Sequence, residues 1–283
     1  MDKVIGLGKT ACLIAEELSQ RPEYRVYKID TTISERGSLS LPPADTLDEY
    51  ERVVDKAEME IYLRSIKPGD EVLFVVEGGT PISGASLAIL ECIKDAKVTI
   101  FYIAPDRLLS SEVQKRDDKI VFNVLQEYAR SGVFEKIYLA NRPTVEALVG
   151  DVPISEFEKA TSYFVSYVVA MINYFIHTDP YMSTKITPPI GCRLRSFGVS
   201  SLDETNKSVR LLFPLQDITG IHFFYGIPKD QLDSDNSLMK KIKDHVKMHQ
   251  TSEISTTFSV YSTTFEELFV LCEAYSPMIQ SFA

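Results

Sequence analysis

The most informative segment of the chain is Gly69-Asp-Glu-Val-Leu-Phe-Val-Val-Glu-Gly-Gly-Thr-Pro-Ile-Ser-Gly84. Its unbroken apolar run, residues 72–76, is typical of a parallel strand that is covered on both faces. The glycines after this run let backbone N–H groups approach an anion closely, and Ser83 and Ser86 are placed to cap a helix whose positive end would face that anion. The segment predicts a buried strand, a phosphate-binding turn and a helix start, with a plain strand-to-helix connection as the alternative. The candidate turn residues are Gly78, Gly79, Thr80, Ser83 and Gly84.

The composition narrows the class of protein. The chain has 283 residues, of which 45% are hydrophobic, enough for one large α/β domain or two modest ones. A net charge of −10 argues against nucleic-acid binding. No apolar run approaches the roughly 20 residues of a membrane helix. The four cysteines are far apart among apolar neighbours, which favours reduced core residues over disulfides or metal ligands. We therefore expect a cytoplasmic protein without a nucleic-acid partner, membrane contact or metal centre.

Strands and helices alternate over the first half of the chain, which predicts a doubly wound parallel sheet. Strands are predicted at 3–6, 24–29, 71–77, 97–103 and 136–139, and helices at 9–19, 47–66, 85–95 and 112–131. In such sheets ligands collect at the carboxyl ends of the strands. Every candidate binding loop follows a predicted strand and should lie at this one edge.

A long helix and a change in composition follow. Apolar residues recur at three- and four-residue steps from 154 to 177, which predicts a single amphipathic helix. Beyond it the sequence predicts strands at 192–199, 209–213, 220–226, 253–261 and 267–274, with a helix at 234–248. We expect a parallel-sheet domain (1–153), a central helix (154–178) and a smaller C-terminal α/β domain (179–283).

This order of elements, with several motifs, resembles the tubulin and FtsZ superfamily over nearly the whole chain. The turn at residues 78–84 resembles that family's glycine-rich GGGTGTG signature, with one extra residue and with Pro81 in place of a glycine. The opening Val4-Ile-Gly-Leu-Gly8 resembles the family's first phosphate loop, and Thr256-Thr-Phe-Ser-Val-Tyr-Ser-Thr-Thr-Phe resembles part of its second domain. The resemblance implies binding of GTP or GDP, accompanied by Mg²⁺.

The resemblance also implies roles for single residues. Asn141 would hydrogen-bond the guanine, and Phe157 would stack on it, with Thr161 where the family has an aspartate. Glu112 and Arg116 have the spacing of the family's ribose contacts. A plainer alternative for Asn141 is a turn-forming residue before Pro143. For Glu112 and Arg116 it is a salt bridge on a helix surface. The first loop contributes Gly6, Gly8, Lys9 and Thr10, where Lys9 either neutralises phosphate charge or faces solvent.

Catalysis is where the sequence departs furthest from the family. Asp179 matches the first of the acidic residues that reach a neighbouring subunit's γ-phosphate, but His177 and Met182 stand at two other positions of that motif. Asp179-Pro180 is also an ordinary helix terminator. We therefore expect slow GTP hydrolysis or none.

Two functional hypotheses follow, and a third fails. The chain either binds a guanine nucleotide and assembles head to tail, or keeps the fold as a scaffold without nucleotide. A dinucleotide-dependent oxidoreductase would need a GxGxxG pattern, which Gly6-Leu-Gly8 does not continue.

Overall fold

The computed structural model describes residues 1–184, 188, 191–202 and 208–281. Residues 185–187, 189–190, 203–207 and 282–283 of the predicted C-terminal domain lie outside these ranges. The chain divides into two compact units, a first unit, Met1–Tyr167, and a second unit, Val168–Ala283. No helix in the described ranges is both long enough and apolar enough to cross a membrane.

The first unit alternates strands and helices, as the sequence predicts. Its strands are β1 (Lys3–Leu7), β2 (Arg25–Asp30), β3 (Leu39–Ser40), β4 (Glu71–Glu77), β5 (Lys97–Ala104) and β6 (Lys136–Asn141). Its helices are α1 (Lys9–Ser19), α2 (Leu47–Val53), α3 (Lys56–Leu63), α4 (Ser86–Glu91), α5 (Glu112–Ser131) and α6 (Arg142–Val149), with 3₁₀ turns at Pro81–Ala85 and Ile154–Glu156. The helix α7 (Phe157–His177) begins in this unit and continues into the second.

The six strands of the first unit form a parallel sheet in the order β3-β2-β1-β4-β5-β6. The run Val72–Val76 in the middle of β4 is buried throughout, because neighbouring strands flank it and both faces are covered. This strand order reverses direction between β1 and β4, and doubly wound sheets bind ligands at such a switch point. The predicted fold class is confirmed, and the loops after Leu7 and Glu77 meet where a ligand would bind.

The helices predicted at 47–66 and 85–95 have different bounds in the structure, and one further helix is present. The segment predicted as one helix at 47–66 is two helices, because the Asp55 side chain accepts from the N–H groups of Ala57 and Glu58 and so starts α3. The helix after the glycine-rich turn is shorter than predicted, since a 3₁₀ turn takes its first residues. The short helix α6 was not predicted. Asn141 caps it and Pro143 stands in its first turn, where a missing N–H costs nothing.

The second unit combines antiparallel and parallel pairing. Its elements after α7 are β7 (Met182–Ser183), β8 (Leu194–Ser200), β9 (Arg210–Leu211), β10 (Gly220–Pro228), α8 (Lys229–Ser234), α9 (Leu238–His249), β11 (Ser255–Thr263) and β12 (Phe269–Ser276). The strand order is β8-β12-β10-β11-β7, with β9 on β8, and β10 and β11 run parallel. Aromatic rings form its core, where Phe175 stacks on Tyr261 with centroids 4.4 Å apart. The four cysteines are free, three buried and Cys92 half-buried.

Candidate functional site

The first two glycine-containing loops of the first unit lie side by side at the carboxyl edge of its sheet. Gly8 follows β1 with a left-handed φ of 85°, and a Cβ at this position would lie 3.1 Å from Cγ2 of Ile82. Gly79, with φ 71°, lies against Pro105 and the Gln114 carbonyl, so the start of α5 approaches the same loop. The structure therefore brings together the three segments that carry Gly8, Gly79 and Glu112.

Packing explains two of the signature glycines. A Cβ on Gly78 would overlap the Tyr102 hydroxyl, and one on Gly84 would overlap the backbone of Leu47. Both neighbours are firm, because Tyr102 is fully buried and Leu47 presents its main chain. The sequence predicted that these glycines let N–H groups approach an anion, and in the structure protein atoms fill the space where a Cβ would stand.

Several N–H groups predicted to face phosphate are engaged within the protein. Gly8 donates to the Ile29 carbonyl and Gly78 to the Ile103 carbonyl, both at 2.9 Å, which extends the sheet by one residue. The Ser83 N–H donates to the Thr80 carbonyl at 3.0 Å. Pro81 has no N–H to offer.

The predicted helix cap is wrong. The Ser83 hydroxyl donates to the Thr80 carbonyl and the Ser86 hydroxyl to the Ser83 carbonyl, each at 2.6 Å. The tight 3₁₀ turn places each hydroxyl next to the carbonyl three residues back, so these side chains close the turn instead of capping α4. Thr80 similarly donates its hydroxyl to the Glu77 carbonyl at 3.1 Å.

A buried carboxylate lies directly behind Gly78. Asp118 accepts from the Tyr102 hydroxyl at 2.6 Å and from the Arg107 guanidinium at 2.9 Å. Burial raises the pKa of Asp118 to about 6, although both partners favour its charged form. This cluster joins α5 to β5 and fixes the wall against which the glycine turn packs.

Arg142 and Glu77 together connect four elements of the first unit. The Arg142 guanidinium contacts Glu77 at the end of β4 at 2.9 Å, Glu146 in α6 at 3.0 Å and Glu158 in α7 at 2.6 Å. The second oxygen of Glu77 accepts from the Thr10 hydroxyl in α1 at 2.6 Å. Burial alone would lower the pKa of Arg142, but the surrounding carboxylates raise it, so this side chain stays charged.

A small cavity lies beneath this ion-pair cluster. Its volume is about 10 Å³, which is the space for one water. The lining includes Thr10, Glu77, Arg142, Glu158 and Ser162. The Ser162 hydroxyl oxygen is buried and has no hydrogen-bond partner in the described part of the chain. A buried unsatisfied hydroxyl at a cavity wall is costly unless a ligand or water completes it.

The polar groups predicted to read a base are partly engaged within the protein. The Asn141 side-chain oxygen accepts from the Thr144 N–H at 3.3 Å as the cap of α6. Phe157 is the half-buried first residue of α7. Thr161 lines the cavity, but its hydroxyl donates back to the Phe157 carbonyl at 2.7 Å.

The remaining predicted residues are more exposed, apart from Gly6. Gly6 is a buried residue of β1, where a Cβ would lie 2.6 Å from the Ala11 carbonyl oxygen. Lys9 is the exposed first residue of α1. Glu112 pairs with Lys115 at 2.8 Å and Arg116 with Asp117 at 3.0 Å. Glu112 and Arg116 thus pair with other neighbours and not with each other, and Asp117 is buried, so the plainer alternative of a Glu112–Arg116 surface salt bridge is not what these contacts show.

Asp179, the predicted catalytic residue, belongs to the second unit. It follows α7 and is exposed. Its proposed role concerns the nucleotide of another subunit, so it stays a prediction.

Sequence reasoning missed Glu77, Arg142, Glu158 and Ser162. Two signals were present: a carboxylate ends the apolar run of β4, and an arginine follows Asn141 directly. Neither signal predicts that Glu77 and Arg142 pair with each other, because they are 65 residues apart in the chain.

Comparison with known proteins was informative at the level of structure. No protein-family profile and no curated protein matches the sequence. FtsZ from M. jannaschii, solved as an empty dimer, matches with a TM-score of 0.71 and 14% identity, over 97% of this chain and 87% of that one. CetZ1 from Haloferax volcanii, a GDP-bound monomer, matches with a TM-score of 0.71 and 12% identity over 98% and 94%.

A third match is TubZ from Bacillus thuringiensis serovar israelensis in a GTPγS-form protofilament, with a TM-score of 0.70, 12% identity and coverage of 99% and 89%. At such low identity these likenesses establish the fold and leave the activity open. The chain has the tubulin/FtsZ-like fold.

Proposed function

We propose that this protein binds a guanine nucleotide at the carboxyl edge of its first unit and assembles head to tail into filaments, with slow GTP hydrolysis or none. The fold supports the proposal, since the similar structures include a GTPγS-form protofilament and a GDP-bound monomer. The observation that carries it is the cavity beside β4, where the buried Ser162 hydroxyl lacks a partner in the described part of the chain.

The base would enter at this cavity, near Phe157 and Asn141. The phosphates would lie over Gly8 and Gly79, close to Lys9, whose charge offsets theirs. This placement of base and phosphates suits the local charge. Arg142 and its three glutamate partners carry a net charge of −2, which an uncharged base tolerates better than phosphates do. Mg²⁺ would accompany the phosphates.

Hydrolysis would depend on Asp179 of a second subunit, which would orient the attacking water at the nucleotide of the first. Head-to-tail contacts that do not close generate filaments. With a single matched acid, turnover should be slow.

Thermal unfolding with GDP, GTP, ADP and ATP tests the nucleotide. At a ligand concentration 100 times Kd, binding stabilises the folded state by about 2.7 kcal/mol, which raises Tm by several degrees. We expect this rise with guanine nucleotides alone. Equal Tm values in all four ligands would refute the proposal.

Sedimentation with and without GTP tests assembly, and Asp179→Asn tests catalysis. Asp230→Asn, an exposed aspartate on α8, is the matched control. We expect Asp179→Asn to slow phosphate release while Asp230→Asn leaves it unchanged. Equal release rates from the two variants would remove Asp179 from the mechanism.

A second candidate function is a scaffold that keeps the fold without nucleotide. The engaged N–H groups of Gly8 and Gly78 and the ion pairs of Arg142 favour it. Assembly that is independent of nucleotide, together with unchanged Tm values, would establish this alternative.

A further inference from the structure

Arg142 lines the small cavity and pairs with three carboxylates around it. Its guanidinium lies over the cavity that Ser162 lines, and its three ion pairs have distances of 2.9, 3.0 and 2.6 Å. The side chain is 21% exposed, so it lies between the cavity and solvent. With about 10 Å³ left beneath it, nothing larger than one water fits while Arg142 stays.

Carboxylates beside this cavity match the hydrogen-bond donors of a guanine base. The Watson–Crick edge of guanine carries donors at N1 and N2 and an acceptor at O6. Carboxylates accept from such donors, and Glu158 presents one from the first turn of α7. Thr161 has only a hydroxyl, which is donated to the Phe157 carbonyl. Glu158 is therefore better suited than Thr161 to read N1–H and N2–H₂.

Adenine fits this arrangement poorly. It has an acceptor at N1 and no amino group at C2, so it cannot donate two adjacent hydrogen bonds to one carboxylate as guanine does. A cavity that offers Glu77 and Glu158 thus selects for guanine once Arg142 has left.

We propose that Arg142 is an internal occupant of the base pocket, holding Glu77 and Glu158 in the nucleotide-free chain until a guanine base displaces it and pairs with Glu158. The inference rests on the proposed function, because it names the regulation and the specificity of the same site. It makes nucleotide affinity a competition between the base and a side chain of the protein.

Calorimetric titration of GDP tests the competition in the unmodified chain, in Arg142→Met and in the control Arg130→Met. Arg130 is a matched control because it is an arginine of the same unit that pairs with Glu127 at 2.7 Å on the surface of α5. We expect GDP to bind Arg142→Met at least tenfold more tightly than the unmodified chain, and Arg130→Met to leave affinity unchanged. If Arg142→Met fails to fold because Glu77 becomes a buried unpaired charge, the double variant Arg142→Met with Glu77→Gln replaces it.

Specificity is tested by adding Glu158→Gln to Arg142→Met and titrating GDP, ADP and IDP, a purine nucleotide that lacks the N2 amino group. We expect the preference for GDP over the other two to fall at least tenfold. An unchanged preference would overturn the role of Glu158.

A second measurement needs no nucleotide. Ser162→Cys places a thiol in the cavity, and its labelling by a maleimide reports access, with the background of the native cysteines subtracted. We expect Arg142→Met to speed this labelling at least tenfold and Arg130→Met to leave it unchanged. Unchanged labelling in Arg142→Met would overturn the closure.

The outcomes separate the two proposals. GDP binding that is equal or weaker in Arg142→Met overturns the competition and leaves the proposed function standing. No GDP binding by any of the three proteins overturns both, even if labelling shows that Arg142 closes the cavity.

Discussion

Replacement of Gly78 by alanine tests why the turn contains glycine. The added Cβ would overlap the Tyr102 hydroxyl and would also lie too close to Oδ1 of Asp118. Neither neighbour has room to move, because Tyr102 and Asp118 are both 0% exposed. Displacing the tyrosine would break its 2.6 Å hydrogen bond to the carboxylate.

The expected cost follows from these contacts. Loss of a hydrogen bond to a charged group costs about 1.5–3 kcal/mol, and forcing an extra carbon into a packed site adds about 1–3 kcal/mol. Because the two effects share one displacement, their sum is an upper bound, and we expect Gly78→Ala to lower the free energy of unfolding by about 2–5 kcal/mol. This loss should appear without any nucleotide present.

Urea unfolding followed by far-ultraviolet circular dichroism measures the change, as the chain has no tryptophan. Gly191→Ala is the control, because a Cβ there meets no atom of the described residues within 4 Å, and its effect should stay within about 0.5 kcal/mol. A loss below about 1 kcal/mol for Gly78→Ala would refute the packing explanation. Adding Tyr102→Phe should recover at least about 1 kcal/mol relative to the sum of the single variants, since it removes the overlapping oxygen.

Two further predictions concern Asp118 and Asn141. Burial raises the pKa of Asp118 from 3.8 to about 6, so between these pH values the folded chain keeps a proton that the unfolded chain has lost, and stability falls as pH rises. At 1.36 kcal/mol per pKa unit, this group should lower the free energy of unfolding by about 3 kcal/mol across that range. Urea titrations from pH 4 to 7 should show this decrease in the unmodified chain but not in Asp118→Asn. Parallel pH dependences of the two proteins would contradict the assignment. Asn141→Ala removes the cap of α6 and should lower the free energy of unfolding by about 1 kcal/mol. It should also abolish the rise in Tm that GTP causes. An undiminished rise would exclude Asn141 as the residue that reads the base.

Local patterns in the sequence determined the order of elements in the first unit. The unbroken apolar run of β4 and the amphipathic spacing of α1 and α5 predicted these three elements with the bounds that the structure shows. Such patterns are local because side-chain periodicity reflects the geometry of a single strand or helix. The break between α2 and α3 was missed, since the Asp55 cap interrupts a pattern that reads as continuous.

For the candidate site, the sequence by itself determined the location and nothing more. The rule that ligands collect at the carboxyl edge needs the strand order alone, and Gly8, Gly79 and Asn141 do lie at that edge. What these residues contact was decided by the tertiary structure. The reason that Gly78 must be glycine lies in Tyr102 and Asp118, on other elements. Arg142 finds Glu77 across 65 residues, and no local pattern encodes a pairing that exists only after β4, α6 and α7 have packed together.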